Sequence, residues 1–195
     1  MVVAIIGIMT AIVAPRFSAT FSRATLGGTA RHLVGTMAYL RNVAAKEGRS
    51  YFLNIDLDKN KYSASYIKDD VDLSQLGYED FDFLTEEIFE PVNDAFVKPT
   101  RLKKKIVFAR VILEDGTDVY EGIARIELRP DGTADETIIH LTKPNLTNPK
   151  EKGYTVHLEH YNGQARVCRG HLDLEDLSIP VLTEREPSRR PEDAL

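Results

Sequence analysis

Five histidines, one cysteine and 30 carboxylates are the groups in this 195-residue chain that could carry catalysis or hold a metal. Their spacing decides what they can do. His157 and His160 are three apart on a segment with strand alternation, so they point to opposite faces and make an awkward pair of ligands. His157 shares the polar face with Thr155 and Glu159, which reads as a solvated strand surface. His140, near Asp135 and Glu136, has neither the H-E-x-x-H spacing nor a helix to display it. No G-x-S-x-G elbow sets a serine at a sharp strand-to-helix turn, and no glycine-rich loop is shaped to cradle phosphate. Cys168 alternates with Val167 in a predicted strand and suits packing better than nucleophilic attack. As the single cysteine it also excludes an internal disulfide and a cysteine-rich zinc module. The expectation is a protein that is not an enzyme, with no metal and no cofactor.

Two charged stretches could instead recognise a partner. Residues 68–98 form an acidic, aromatic insert, with Asp69, Asp70, Asp72, Glu79, Asp80, Asp82, Glu86, Glu87 and Glu90 among Tyr78, Phe81, Phe83 and Phe89. Calcium favours such carboxylates, but the D-x-[DN]-x-[DN]-G loop is absent. Asp56-Leu57-Asp58-Lys59-Asn60 imitates only its start and reads as a hairpin turn. A solvated or partner-facing loop is the simpler reading of the insert. Arg101, Lys103, Lys104 and Lys105 form the one basic run, a candidate patch for an anionic partner such as nucleic acid or lipid. It adjoins the acidic insert and lacks interleaved aromatics for base stacking, and the net charge of −5 provides no global basic field. Pairing with the insert or plain solvation is therefore expected, and nucleic acid is not expected as a partner.

The elements around these residues carry a different signal. Residues 1–14, MVVAIIGIMTAIVA, are uncharged and apolar all round, the pattern of a helix in hydrocarbon, in a deep core or in a packed bundle. At ~1.5 Å per residue this run spans about 21 Å, short of the ~30 Å core of a bilayer. No positive region precedes it and no small-x-small site follows it, so it does not read as a signal peptide. Instead Phe17, Phe21, Ala24, Ala30, Leu33, Met37, Leu40 and Ala44 continue at spacings of mostly three and four, with Arg16, Arg23, Arg31, Arg41 and Lys46 between them. This predicts one long helix over 1–48, apolar at its start and one-sided afterwards, packing on the rest of the chain through Leu33, Met37 and Leu40. Pro15 and the Gly27-Gly28 pair are expected to bend or locally melt it, and Gly48 to cap it.

Beyond Gly48 the period changes to alternation. Tyr51, Leu53 and Ile55 face one way and Phe52, Asn54 and Asp56 the other, with a turn at Asp58-Lys59-Asn60 leading into a strand over 61–67. Further strands are expected over 106–113, 122–128, 137–142, 154–161 and 164–170, separated by Asp115-Gly116, Pro130-Asp131-Gly132 and Asn162-Gly163. Seven short strands imply two packed or strongly curved antiparallel sheets lying against the helix, an α+β fold. The organisation expected is a helix over 1–48, a β-rich head over 49–173 and a mobile tail over 174–195. The insert is expected to hold a short helix around Glu86, and the tail one last pairing over 179–182.

The run MVVAIIGIMTAIVAPRF resembles the N-terminal helix of type IV pilins and type II secretion pseudopilins, with Val2 to Ile8 matching the apolar run and Pro15 the family's helix-breaking proline. Leu33, Met37, Leu40, Arg41 and Ala44, then Gly48 and Tyr62, resemble the GspH/FimT group, as does RPDGTADETIIHL followed by YTVHLEHYNGQARV. The family's basic leader, processing site and glutamate are missing, which implies that about six or seven apolar residues precede Met1 and complete a span of ~20. The resemblance implies a single-pass anchor in the bacterial inner membrane with the head in the periplasm. Val2, Val3, Ile5, Ile6, Ile8, Ile12 and Val13 would anchor the chain and pack against neighbouring stems. The partners implied are other pseudopilins or pilins, the inner-membrane assembly platform and the lipid bilayer. The function implied is a structural minor pseudopilin of a type II secretion pseudopilus. The alternative is a FimT-like minor pilin that helps initiate type IV pilus assembly or binds DNA during uptake.

Overall fold

The computed structural model describes residues 2–69, 88–103, 105–144, 153–173 and 176, with side chains of the helix from residue 25 onward. The helix α1 is a single unbroken element, Val2–Glu47, about 69 Å long at ~1.5 Å per residue. Gly48 closes it in the left-handed region at φ 69°. Its amide donates to the Ala44 carbonyl at 2.9 Å, a cap for which glycine has no Cβ penalty. Of the bend or local melting expected at Gly27-Gly28, the melting is absent, since helical structure continues through both residues.

Among the described residues ten strands follow, in two antiparallel sheets. The first sheet is built from β1 (Tyr51–Asp56), β2 (Lys61–Ile67), β3 (Phe89–Pro91), β4 (Thr100–Arg101) and β7 (Ile123–Leu128). Its order is β3-β2-β1-β7, with β4 also pairing to β2. The second is built from β5 (Val107–Ile112), β6 (Asp118–Val119), β8 (Thr137–Thr142), β9 (Tyr154–Leu158) and β10 (Ala165–Arg169). Its order is β10-β9-β8-β5-β6. The seven strands read from alternation are present, and β3, β4 and β6 are additions of two or three residues. Strand β9 ends at Leu158 rather than at 161, because the Glu159 amide already closes the loop onto the Gln164 carbonyl at 2.9 Å. The short helix expected around Glu86 and the pairing expected over 179–182 lie outside the described residues, as does most of the tail over 174–195.

Both sheets and the helix share one core. Leu53, Ile55 and Ile126 of the first sheet and Ile139, Leu141, Val156 and Leu158 of the second are fully buried with Leu33, Met37 and Leu40 of α1. Each such aliphatic side chain contributes ~1.5–3 kcal/mol on leaving water. The register Leu53↔Ile126 and Ile139↔Val156 keeps these residues on the helix-facing side of each sheet.

Candidate functional site

The seam between helix and head comes first, because it fixes where everything else lies. Leu26, Ala30, Leu33, Met37, Leu40 and Ala44 fall at steps of three and four and are all at or below 2% exposure, whereas Arg31, His32, Gly35, Ala45 and Lys46 are exposed. The one-sided face expected from Leu33, Met37 and Leu40 is therefore the seam, extended at both ends. Gly27 belongs to it for a reason other than flexibility. A Cβ there would stand 3.1 Å from Cζ and Oη of Tyr154, so glycine lets the end of the β9 tyrosine come close to the helix backbone. At the other end Arg41 donates from Nη1 to the Asn162 carbonyl at 2.7 Å. Gly163, at φ 55°, passes so close to the Gly132 carbonyl that a Cβ would stand 2.6 Å from it. Tyr39 donates to Asp94 at 2.6 Å, and that carboxyl is held below its usual range by the Phe96 amide and then by Tyr39.

Beside Gly28 the exposed side of the helix forms one wall of a cavity of ≈ 280 Å³. Thr29 and His32 line it from α1, Tyr62 from β2, Thr100 and Arg101 from β4, and Leu102 and Lys103 from the segment after it. His32 Nδ1 lies 2.7 Å from the Tyr62 hydroxyl, and burial pushes that phenol above its ordinary pKa. Leu102 and Tyr62 are buried, Arg101 and Lys103 exposed, so the floor is apolar and the rim cationic. The Ile106 amide bonds the Lys103 carbonyl at 3.0 Å, which folds the basic run into a turn and holds Lys105 at φ 73°, a region that disfavours side chains. Lys143 directly follows β8. Burial first, and then Lys105, lowers the Lys143 pKa. The structure thus brings Arg101 and Lys103 together with His32, which the sequence did not connect to them, while Lys105 is not among the residues lining the cavity. Lys104 lies outside the described residues.

The histidines sort differently from the sequence expectation. Thr155 is not on a solvated face: it is fully buried, donates to the Gly170 carbonyl at 2.7 Å and accepts from the Leu172 amide at 3.0 Å. Residues 170–173 cross the outer face of the second sheet as a strap, and alternation along β9 could not reveal that cover. His140 stacks on His171 with centroids 4.4 Å apart and planes within 6°. Their Nε2 atoms lie 3.0 Å from the Leu172 carbonyl and 3.3 Å from the Leu141 carbonyl respectively. Both pKa values are lowered, chiefly by burial. His157 pairs with Glu136 at 3.1 Å and His160 with Glu114 at 3.1 Å. Among the described residues, these four rings lie against backbone or carboxylate oxygens and His32 against the Tyr62 hydroxyl. Among the described residues no three ligating side chains gather as a metal site.

Among the described residues no helix is long and apolar enough to cross a membrane; the side chains of residues 2–24, where the sequence places the anchor, lie outside that description. No protein-family model matches the sequence, and no curated protein does. Solved structures do. One structure of the minor pseudopilin EpsH from the type II secretion system of Vibrio cholerae superposes with a TM-score of 0.58 at 13% identity, over 78% of this chain and 99% of that one. A second structure of EpsH gives 0.51 at 15% identity, over 74% and 96%. The type IV minor pilin FimU of Pseudomonas aeruginosa aligns at 0.45 and 12% identity, over 76% and 90%, too weakly to bear on the fold. At these identities the likeness is one of fold: an N-terminal helix packed on antiparallel sheets, as in that minor pseudopilin.

Proposed function

We propose that this chain is a structural minor pseudopilin of a type II secretion pseudopilus, held in the inner membrane by the first part of α1 with its head in the periplasm. The observation that carries the reading is the division of one unbroken helix. Residues from Leu26 onward are locked into the head's core. The same helix continues through residues 2–24, about 35 Å at ~1.5 Å per residue, and begins with an uncharged apolar run. Such a run has two suitable surroundings, lipid and the stems of neighbouring subunits. Both are apolar, so moving from one to the other need not expose it to water. Val2, Val3, Ile5, Ile6, Ile8, Ile12 and Val13 would supply the contact, and Pro15 the bend that fits the stem to a crowded fibre.

Replacing Ile5 or Ile8 by Asp tests this. A carboxylate at the centre of a span costs ~2.5–3.5 kcal/mol, so either variant of the full chain should leave the membrane fraction and fail to enter fibres. The melting transition of the head should be unchanged. A variant that still assembled would defeat the proposal.

A further inference from the structure

We infer that the basic cavity beside Gly28 is a docking site for a carboxylate side chain presented by a neighbouring protein subunit; the neighbour, though not the site, rests on the fibre reading above. Several arginines of the head are matched by carboxylates. Arg49, Arg110, Arg129 and Arg166 stand 2.8, 3.2, 3.1 and 2.9 Å from Glu47, Asp118, Glu127 and Glu159. Arg101, Lys103 and Lys105 have no carboxylate within ion-pair distance among the described residues. Arg101 and Lys103 at the rim of one cavity favour an anion held between them.

The cavity also restricts the form of that anion. Its ≈ 280 Å³ sits just below the ~300–1,000 Å³ of small-molecule pockets, room for one side chain and its stem. Buried Leu102 and Tyr62 would meet the methylenes. Arg101 and Lys103 on the rim would hold the charged end. His32, whose Nδ1 is taken by the Tyr62 hydroxyl, has Nε2 left to join them.

Geometry decides the source. From Ala14, the end of the apolar run, to Gly28 is fourteen helical residues, about 21 Å at ~1.5 Å each. A tilt of ~40° still leaves about 16 Å along the bilayer normal. The headgroup layer on one side is only ~5–8 Å deep, so the cavity stands beyond lipid phosphates. A single strand would stack on exposed aromatic rings, but Tyr62 is 3% exposed; a duplex would draw on a row of phosphate contacts, but the rim offers only Arg101 and Lys103. A subunit packed alongside the stem can reach the site.

The test uses the full chain in neutral detergent micelles, with NMR signals of His32 and Tyr62 as reporters. The probes are the blocked tripeptide acetyl-Leu-Glu-Leu-amide, its Gln counterpart, inorganic phosphate, a short DNA duplex, and vesicles of phosphatidylglycerol. We expect saturable shifts with the Glu peptide that weaken with salt. They should weaken about tenfold or more in Arg101→Glu/Lys103→Glu, whose melting temperature should match the parent because both side chains are exposed. The inference is overturned if the Glu and Gln peptides behave alike, if neither shifts the signals, or if phosphate, DNA or vesicles compete as well as the Glu peptide. Because the titration needs no assembled fibre, its failure is distinct from failure of the Ile5 and Ile8 variants.

Discussion

On the inner face of the second sheet Ile139, Leu141, Val156 and Leu158 are completely buried, and on the outer face Ile138 and Thr155 are equally so. The covering layers are unlike. Inside lies α1, which presents Leu33, Met37 and Leu40 and no titratable group at those positions. Outside lies the strap of residues 170–173, held by the Thr155 hydroxyl, the stacked His140 and His171, and Arg110, which bridges Asp118 and Asp173. A layer held by apolar area is insensitive to pH and intolerant of lost volume. One held by a few polar contacts tolerates volume change and responds to protons.

The comparison breaks most readily at the seam. Leu40→Ala should cost about 2–5 kcal/mol, the usual penalty for emptying a buried leucine site, read by chemical denaturation of the full chain in micelles. On the other face Thr155→Val should cost about 1–3 kcal/mol, because the Leu172 amide loses its acceptor and the Gly170 carbonyl its donor. Hydrogen exchange at Leu172 should quicken while that of β8 holds. If both variants slowed or quickened exchange across the whole sheet alike, the two layers would not be separable.

The smallest effect sharpens the contrast through pH. Both histidines have folded pKa values below the ordinary 6.5. In that interval the unfolded chain binds more protons than the folded one, so stability rises with pH. The contribution is fully present above about 6.5 and is lost as pH falls through the lower folded values. Two imidazolium rings stacked beside Arg110 would repel, with Asp173 as the offsetting carboxylate. Exchange at Leu172 should therefore quicken on mild acidification, and His140→Phe/His171→Phe should flatten that response. A parent protein whose strap is pH-independent would contradict the assignment.

How much of this could be read from the sequence follows from how local each signal is. Leu33, Met37 and Leu40 declare a helix face, and Tyr51, Leu53 and Ile55 a strand face, because each pattern is complete within a few residues. Strand β4 could not be read: Thr100 and Arg101 are a strand only by pairing with Tyr62 and Lys61. Thr155 looked solvated because the strap that covers it comes fifteen residues later. Gly27 looked like a joint because its partner, Tyr154, is remote in sequence. The basic run was visible as Arg101, Lys103, Lys104 and Lys105, but not the wall supplied by Gly28 and His32 that makes a cavity of it.

The inner layer also bears on function, since it is one half of a helix whose other half the head does not use in its described core. The most direct measurement places a cysteine in that stem, as Ile8→Cys with Cys168→Ser, in cells assembling fibres, and oxidises isolated fibres alongside the unassembled membrane pool. The account predicts disulfide-linked stems between this subunit and cysteine-bearing neighbours in fibres and few in the membrane pool. Stems that never cross-link, although the subunit is present in the fibre, would contradict assembly through this helix.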